Sequence, residues 1–124
     1  MEGSMSVYEQ IGGAGAVRAA VDIFYDRILQ DATLAPFFEG VSLDRQRAKQ
    51  VAFLTMVFGG PSDYDGKDLR EGHKHLVARG LNEAHFNAVA GHLQATLEQL
   101  KVPAELVSAI MTTAASTKAD VLNQ

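Results

Sequence analysis

The sequence contains no cysteine and no tryptophan. Without cysteine the chain can form neither a disulfide nor a thiolate metal site. This composition fits the reducing cytoplasm, where we expect the protein to reside. No apolar run is long enough to cross a bilayer, so no membrane span is predicted. With 11 Lys and Arg against 15 Asp and Glu, the formal net charge is −4, which gives no electrostatic basis for binding nucleic acid.

Sequence signatures of common enzyme classes are also missing. There is no G-x-S-x-G, P-loop, H-E-x-x-H or dinucleotide fingerprint. The glycine-rich stretch at residues 12–15 follows no strand, which disfavours a phosphate-binding loop. The acidic residues at 63–68 lack the spacing and the closing glutamate of a calcium-binding EF-hand loop.

The pattern that is present is helical. A length of 124 residues corresponds to one domain. We expect residues 1–5 to be a disordered cloning remnant and residues 6–124 to form a single domain. Apolar residues at helical spacing predict an all-α fold. The predicted long helices run from about residue 14 to 29, from a cap at Ser42 to Gly59, from a cap at Asn82, and from Pro103.

Two short elements and one loop complete the predicted organisation. We expect a turn at residues 34–38, a loop at 60–72 and a short helix at about 70–78. The face expected to be buried in the first long helix comprises Val17, Val21, Phe24 and Ile28. The corresponding stripe in the last helix comprises Leu106, Ile110, Ala114 and Val121.

His73 lies on the apolar face of its predicted helix, flanked by Leu69 four residues before it and Leu76 three residues after it. His75 points away from that face, toward solvent. Spacing alone favours the interpretation that His73 is a hydrogen-bonded core residue, because isolated buried histidines usually are.

Two amides share a helix face with large apolar side chains. Gln46 and Gln50 fall on the same face as Phe53, Leu54 and Val57. Burying an unpaired amide costs a few kcal/mol, so each amide requires a partner or solvent. Either this helix face is exposed to solvent at its N-terminal end, or the amides line a polar spot in an apolar pocket. In the second case Tyr25 could join them with a phenol donor.

Motifs along nearly the whole chain resemble the truncated hemoglobins of the first group, most of all the cyanobacterial members. Each motif is weak by itself, but their order and spacing together are specific. The matching stretches are VYEQIGG (7–13), FY (24–25), FF (37–38), QRAKQVAFL (46–54), FGGP (58–61), LREGH (69–73), HF (85–86) and DVLNQ (120–124).

The resemblance implies a 2-over-2 globin sandwich enclosing heme b. His73 corresponds to the proximal iron ligand, and Phe38 to the phenylalanine that packs on the porphyrin. Tyr25, Gln46 and Gln50 correspond to the distal donors that hydrogen-bond a bound gas.

The same resemblance assigns the remaining surroundings of the heme. It implies that Tyr64, with either Arg47 or Lys49, meets the heme propionates through charge-assisted contacts. The implied apolar wall comprises Phe53, Leu54, Leu69, Leu76, Phe86 and Val89.

The chain departs from the cyanobacterial pattern at three positions. Lys49 stands where relatives often carry a second histidine that ligates iron. It is expected either to meet a propionate or to bind iron through its amine, as in algal members. Thr117 stands where relatives can carry a histidine bonded to the heme vinyl, so we expect heme that is not covalently attached. Leu54 replaces a phenylalanine that gates a gas tunnel in some relatives.

The resemblance implies reversible binding of dioxygen, and of NO and CO, by a monomeric protein. The alternative is a nitric oxide dioxygenase, which converts bound dioxygen and nitric oxide to nitrate and needs an external reductase. A third hypothesis is a helical interaction domain without heme.

Overall fold

The structure, a computed structural model, describes residues 6–62 and 65–124. A 3₁₀ turn at Ala35–Phe38 follows the second helix. The helices are α1 (Val7–Ile11), α2 (Gly13–Leu29), α3 (Leu43–Val57), α4 (Gly66–Ala78), α5 (Glu83–Gln99), α6 (Ala104–Ala115) and α7 (Lys118–Val121). The described ranges contain no strand, which confirms the predicted all-α class. Within those ranges, no helix combines the length and apolarity of a membrane span.

Two pairs of helices form the main core. Helix α2 packs on α3, α5 packs on α6, and the pairs meet through α2 with α5 and α3 with α6. The predicted apolar face of α2 is buried in full, at Val17, Val21, Phe24 and Ile28. Opposite it lie the buried residues Leu54, Phe58, Leu93, Leu97 and Ile110. This arrangement is the two-over-two packing that the resemblance implied.

Helix α4 lies outside these two pairs and packs chiefly on α7. Its buried residue Leu69 forms a second, smaller apolar cluster with Val121 and Leu122. Phe53 and Met56 of α3 pack against both clusters, so they connect α4 to the main core.

The predicted caps of two helices are present. The Ser42 hydroxyl accepts a hydrogen bond from the Arg45 N–H at 3.4 Å. The Asn82 side-chain oxygen accepts from the Ala84 N–H at 2.9 Å. Each side chain thereby satisfies an N–H that has no partner within its helix.

The structure adds one helix that was not predicted and moves the start of another. Helix α1 was not expected, and it begins with a capping box between Ser6 and Glu9. Helix α4 begins at Gly66, so the predicted loop at 60–72 is wrong in its second part. A capping box between Asp65 and Asp68 starts the helix four residues earlier than expected.

The last helix is also interrupted where a continuous helix was expected. Helix α6 ends at Ala115, and the hydroxyls of Ser116 and Thr117 donate to the carbonyls of Thr113 and Ala114 at 2.5 and 2.6 Å. Val107 is buried there, whereas the predicted core residue Leu106 is only partly buried. The expectation for residues 1–5 lies outside the described residues.

Candidate functional site

Tyr25 presents a buried phenol from the second half of α2. Its side chain is 4% exposed, and its ring meets Phe38 edge to face, with centroids 5.7 Å apart. Burial raises the pKa of the Tyr25 hydroxyl above its ordinary value of 10.0. The hydroxyl is therefore protonated at neutral pH and can donate a hydrogen bond.

Gln50 presents a second buried polar group from α3. The residue is 6% exposed. Within residues 6–62 and 65–124, neither Tyr25 Oη nor Gln50 Oε1 has a hydrogen-bond partner. Gln46, one turn earlier, is partly exposed. Burying an unpartnered polar atom costs about 1–3 kcal/mol, so two such atoms on neighbouring helices indicate a place for a polar ligand.

His73 presents a neutral imidazole from α4. Its Nδ1 lies 2.8 Å from the Leu69 carbonyl oxygen. Because a carbonyl can only accept, Nδ1 carries the proton and Nε2 carries the free lone pair. Burial, together with the charges of His75 and Lys49, lowers the pKa of His73 although the Leu69 bond raises it. His75 is exposed, as predicted.

The structure brings several of the predicted wall residues together. Leu54 is fully buried in the main core, and Val89 packs against that core. Phe86, like Phe53, packs against the Leu69 cluster. Leu76 is partly buried.

The predicted charged residues do not share one environment. Lys49 is exposed, yet it lies close enough to His73 for its charge to lower the pKa of that imidazole. Arg47 is turned toward α2, where its guanidinium pairs with Asp22. Tyr64 lies outside the described residues.

Comparisons with known proteins identify the family and the fold. The family described as bacterial-like globin matches residues 6–123. The chain belongs to this family. It is 49% identical over 122 residues to the Group 1 truncated hemoglobin GlbN of Synechocystis sp., a match that covers 96% of this chain and 98% of the relative.

Solved structures resemble this globin throughout its length. The 2/2 hemoglobin of Synechococcus sp., solved in the cyanomet state with covalently attached heme, has a TM-score of 0.90 and 36% identity, covering 97% of this chain and 100% of that one. THB1 of Chlamydomonas reinhardtii has a TM-score of 0.85 and 45% identity, covering 97% and 98%. The predicted truncated hemoglobin relationship and fold are thus confirmed.

The cofactor of this globin is heme, as predicted, and the residues present fit it. A neutral imidazole with a free Nε2 is a common axial ligand of heme iron. The Tyr25 hydroxyl and the Gln50 amide oxygen, which have no partner among the described residues, would suit a polar ligand, and aromatic side chains such as Phe38 and Phe53 suit a flat apolar ring.

The LREGH motif includes Arg70, but the sequence assigned that residue no role, and in the structure it joins α4 to the end of the chain. Its guanidinium pairs with Asp120, 50 residues later in the chain. No local motif could have indicated that pair. The i−4 spacing of Leu69 and His73, by contrast, was visible in the sequence and does correspond to a hydrogen bond.

Proposed function

We propose that this globin holds heme b with His73 as the proximal ligand and binds dioxygen reversibly on the side of Tyr25 and Gln50. Heme iron supplies the binding position for a diatomic gas, and NO and CO are further ligands of that position. One observation carries the proposal: Tyr25 Oη and Gln50 Oε1 are buried without a hydrogen-bond partner in the described part of the chain.

The distal side chains retain and polarise the gas. The protonated Tyr25 hydroxyl donates a hydrogen bond to it. Rotation of the terminal amide lets Gln50 present its NH₂ group, and Gln46 supplies a second amide one turn away. Hydrogen bonds in a low-dielectric pocket are stronger than in water, so the apolar residues around these donors increase their effect. Those residues are Phe53, Leu54, Leu69, Leu76, Phe86 and Val89.

The proximal side fixes one ring orientation. The Leu69 carbonyl accepts from His73 Nδ1, which leaves Nε2 toward the cofactor and raises its basicity. Phe38, at the end of the 3₁₀ turn, would pack on the porphyrin.

Lys49 is the better candidate of the two cations for a propionate contact. Its ammonium is exposed, whereas the Arg47 guanidinium already pairs with Asp22. In the alternative role, the Lys49 amine binds iron, which requires loss of its proton. Tyr64 stays a predicted propionate partner.

We further propose that the heme is not covalently attached. The Thr117 hydroxyl is buried and donates to the Ala114 carbonyl at 2.6 Å, and an alcohol is a poor nucleophile toward a vinyl group. Acidic butanone should extract all of the heme from the denatured protein. Heme that stays with the polypeptide would contradict this proposal.

The test of the proposed function compares two histidine variants on one helix. Purified protein titrated with hemin, then reduced and exposed to CO, should give the absorption spectrum of a histidine-ligated heme. The His75→Ala variant should behave in the same way, because that side chain is exposed. The His73→Ala variant should lose this spectrum. Removing a residue that only hydrogen-bonds a metal ligand lowers metal affinity about 10–100-fold, so removing the ligand itself should lower heme affinity by more.

Equal spectra in all three proteins would disprove the assignment of His73 as the iron ligand. A wild-type protein that takes up no heme would favour the interaction-domain hypothesis.

Nitric oxide dioxygenation is the alternative activity of the same site. Mixing the dioxygen complex with nitric oxide and a reductase should yield repeated nitrate formation if this globin is an enzyme. A single stoichiometric reaction without recycling would leave gas binding as the function.

A further inference from the structure

A short segment after α6, residues 118–124, packs on the helix that carries His73. Its apolar side chains Val121 and Leu122 form a cluster with Leu69 of α4, which is 1% exposed. Helix α4 needs such a contact because it lies outside the two main helix pairs.

The same segment makes three hydrogen bonds to a single residue of α4. Arg70 Nε donates to Asp120 Oδ1 at 2.7 Å, and Arg70 Nη2 donates to the Gln124 carbonyl at 2.7 Å. In the opposite direction, Asn123 Nδ2 donates to the Arg70 carbonyl at 3.2 Å. Both the side chain and the backbone of Arg70 are therefore held.

Asp120 also approaches the first residue of α4. A Cβ atom added to Gly66 would lie 2.5 Å from Asp120 Oδ2, which is closer than real Cβ contacts. The absence of a side chain at residue 66 thus permits Asp120 to lie against the beginning of the helix while it pairs with Arg70.

These contacts fall on the turn of α4 that orients the imidazole. Leu69 and Arg70 precede His73 by four and three residues, and the Leu69 carbonyl accepts from His73 Nδ1 at 2.8 Å. The segment holds Leu69 through its side chain and Arg70 through both side chain and carbonyl. A shift of the segment would therefore move the carbonyl that sets the ring orientation.

We propose that residues 118–124 position the proximal ligand, with Arg70 and Asp120 as positioning residues. The segment fixes the first turns of α4 and thereby the direction of His73 Nε2. This inference rests on the proposed function, in which His73 ligates heme iron. Residues 118–124, which are remote from His73 in sequence, would thereby control the strength of the bond between His73 and the iron.

The experiment uses heme-loaded ferrous protein with Arg70→Ala and Asp120→Asn. The second variant keeps the side-chain shape and removes the charge, so it is expected to fold even if the first does not. The first readout is the iron–histidine stretching band in resonance Raman spectra, which should shift or broaden in both variants. The second is heme transfer to apomyoglobin, which should accelerate about two- to fivefold. That range suits an ion pair whose side chains are 42% and 33% exposed.

A matched control breaks a different contact of the same segment. Lys118 Nζ pairs with Glu83 Oε1 at 2.7 Å, which ties the segment to α5 instead of α4. Lys118→Ala should leave the stretching band and the transfer rate unchanged.

The outcomes separate this inference from the proposed function. A wild-type protein without a stretching band that depends on His73 would overturn the proposed function itself. A wild-type band that both variants leave unchanged, with unchanged heme transfer, would overturn only the positioning role. An equal effect of Lys118→Ala would also overturn it, because the segment would then act through general stability.

Discussion

The two sides of the candidate heme site satisfy their polar groups in opposite ways. On the distal side, Tyr25 Oη and Gln50 Oε1 are buried without a partner in the described ranges. On the proximal side, His73 Nδ1 bonds to the Leu69 carbonyl, and the neighbouring Arg70 is held by three hydrogen bonds. In the proposed site, the groups assigned to the gas are unsatisfied within the described protein, whereas the imidazole assigned to the iron has one hydrogen bond and lies on a helix turn held by three more.

The difference follows from where the helices lie. Helices α2 and α3 belong to the main core, so packing around Phe24 and Leu54 holds the distal side chains in place. Helix α4 belongs to a smaller cluster beside that core. Its orientation therefore depends on specific contacts with residues 118–124.

The largest expected effect concerns the distal phenol. Tyr25→Phe removes one hydrogen bond to a polarised gas, and such bonds contribute about 1.5–3 kcal/mol. We expect dioxygen to dissociate about tenfold faster or more, as measured by stopped-flow replacement with CO. Tyr8→Phe on α1, where the ring packs against Gly60, is the control and should leave the rate unchanged. An unchanged rate in Tyr25→Phe would show that the phenol does not hold the gas.

A second prediction contrasts the unpartnered distal hydroxyl with a bonded one. Tyr25→Phe should leave the free energy of unfolding of gas-free protein unchanged or raise it by up to about 1–3 kcal/mol, because it removes an unsatisfied buried group. Thr96→Val should lower it by about 1 kcal/mol, because the fully buried Thr96 hydroxyl donates to the His92 carbonyl at 2.8 Å. Chemical denaturation of both variants provides the measurement. Equal losses of stability would mean that the distal hydroxyl is satisfied within the protein.

The third prediction distinguishes the two roles proposed for Lys49, a contact with a heme propionate and ligation of the iron. A propionate contact predicts that Lys49→Ala releases heme about two- to fivefold faster, as expected for one exposed ion pair. It also predicts ferric absorption spectra like those of the wild type between about pH 6 and pH 10. The exposure of Lys49 favours this outcome. Low-spin bands at high pH that vanish in Lys49→Ala would instead identify the amine as an iron ligand.

The smallest expected effect concerns the contact between the end of α2 and α5. Hydrogen bonds from Thr33 and His92 lower the pKa of Asp31 to about 2. The His92 contact, at 2.7 Å, joins the end of α2 to α5. Because the folded-state pKa lies below the ordinary value of about 3.9, the charged carboxylate stabilises the fold above about pH 4. That stabilisation is lost as the pH falls toward 2.

Asp31→Asn should therefore be less stable than the wild type at neutral pH, and the difference should shrink between about pH 4 and pH 2. Chemical denaturation across this pH range measures it. Glu39→Gln, at an exposed position, is the control. A stability difference that does not depend on pH would contradict the role assigned to the Asp31 charge.

Local chemistry was sufficient to predict most of the helices from the sequence. The buried face of α2 follows from apolar spacing, and the caps at Ser42 and Asn82 follow from side chains that satisfy free N–H groups. The capping boxes that begin α1 and α4, Ser6 with Glu9 and Asp65 with Asp68, are equally local, and the predicted boundaries were wrong because they did not take them into account. The order of motifs also led to the globin family and to heme. The roles of the individual site residues stay predictions.

Only the tertiary structure decided which polar groups have partners. Arg47 could have reached a propionate, but the fold places it beside Asp22, 25 residues away. Arg70 lies in the LREGH motif, but nothing in the sequence indicated its partner, and the fold brings Asp120 to it from 50 residues away. Periodicity and caps depend on residues within one or two helical turns, so the sequence displays them. Pairing between distant side chains depends on how the helices pack, and packing is set by the whole chain at once.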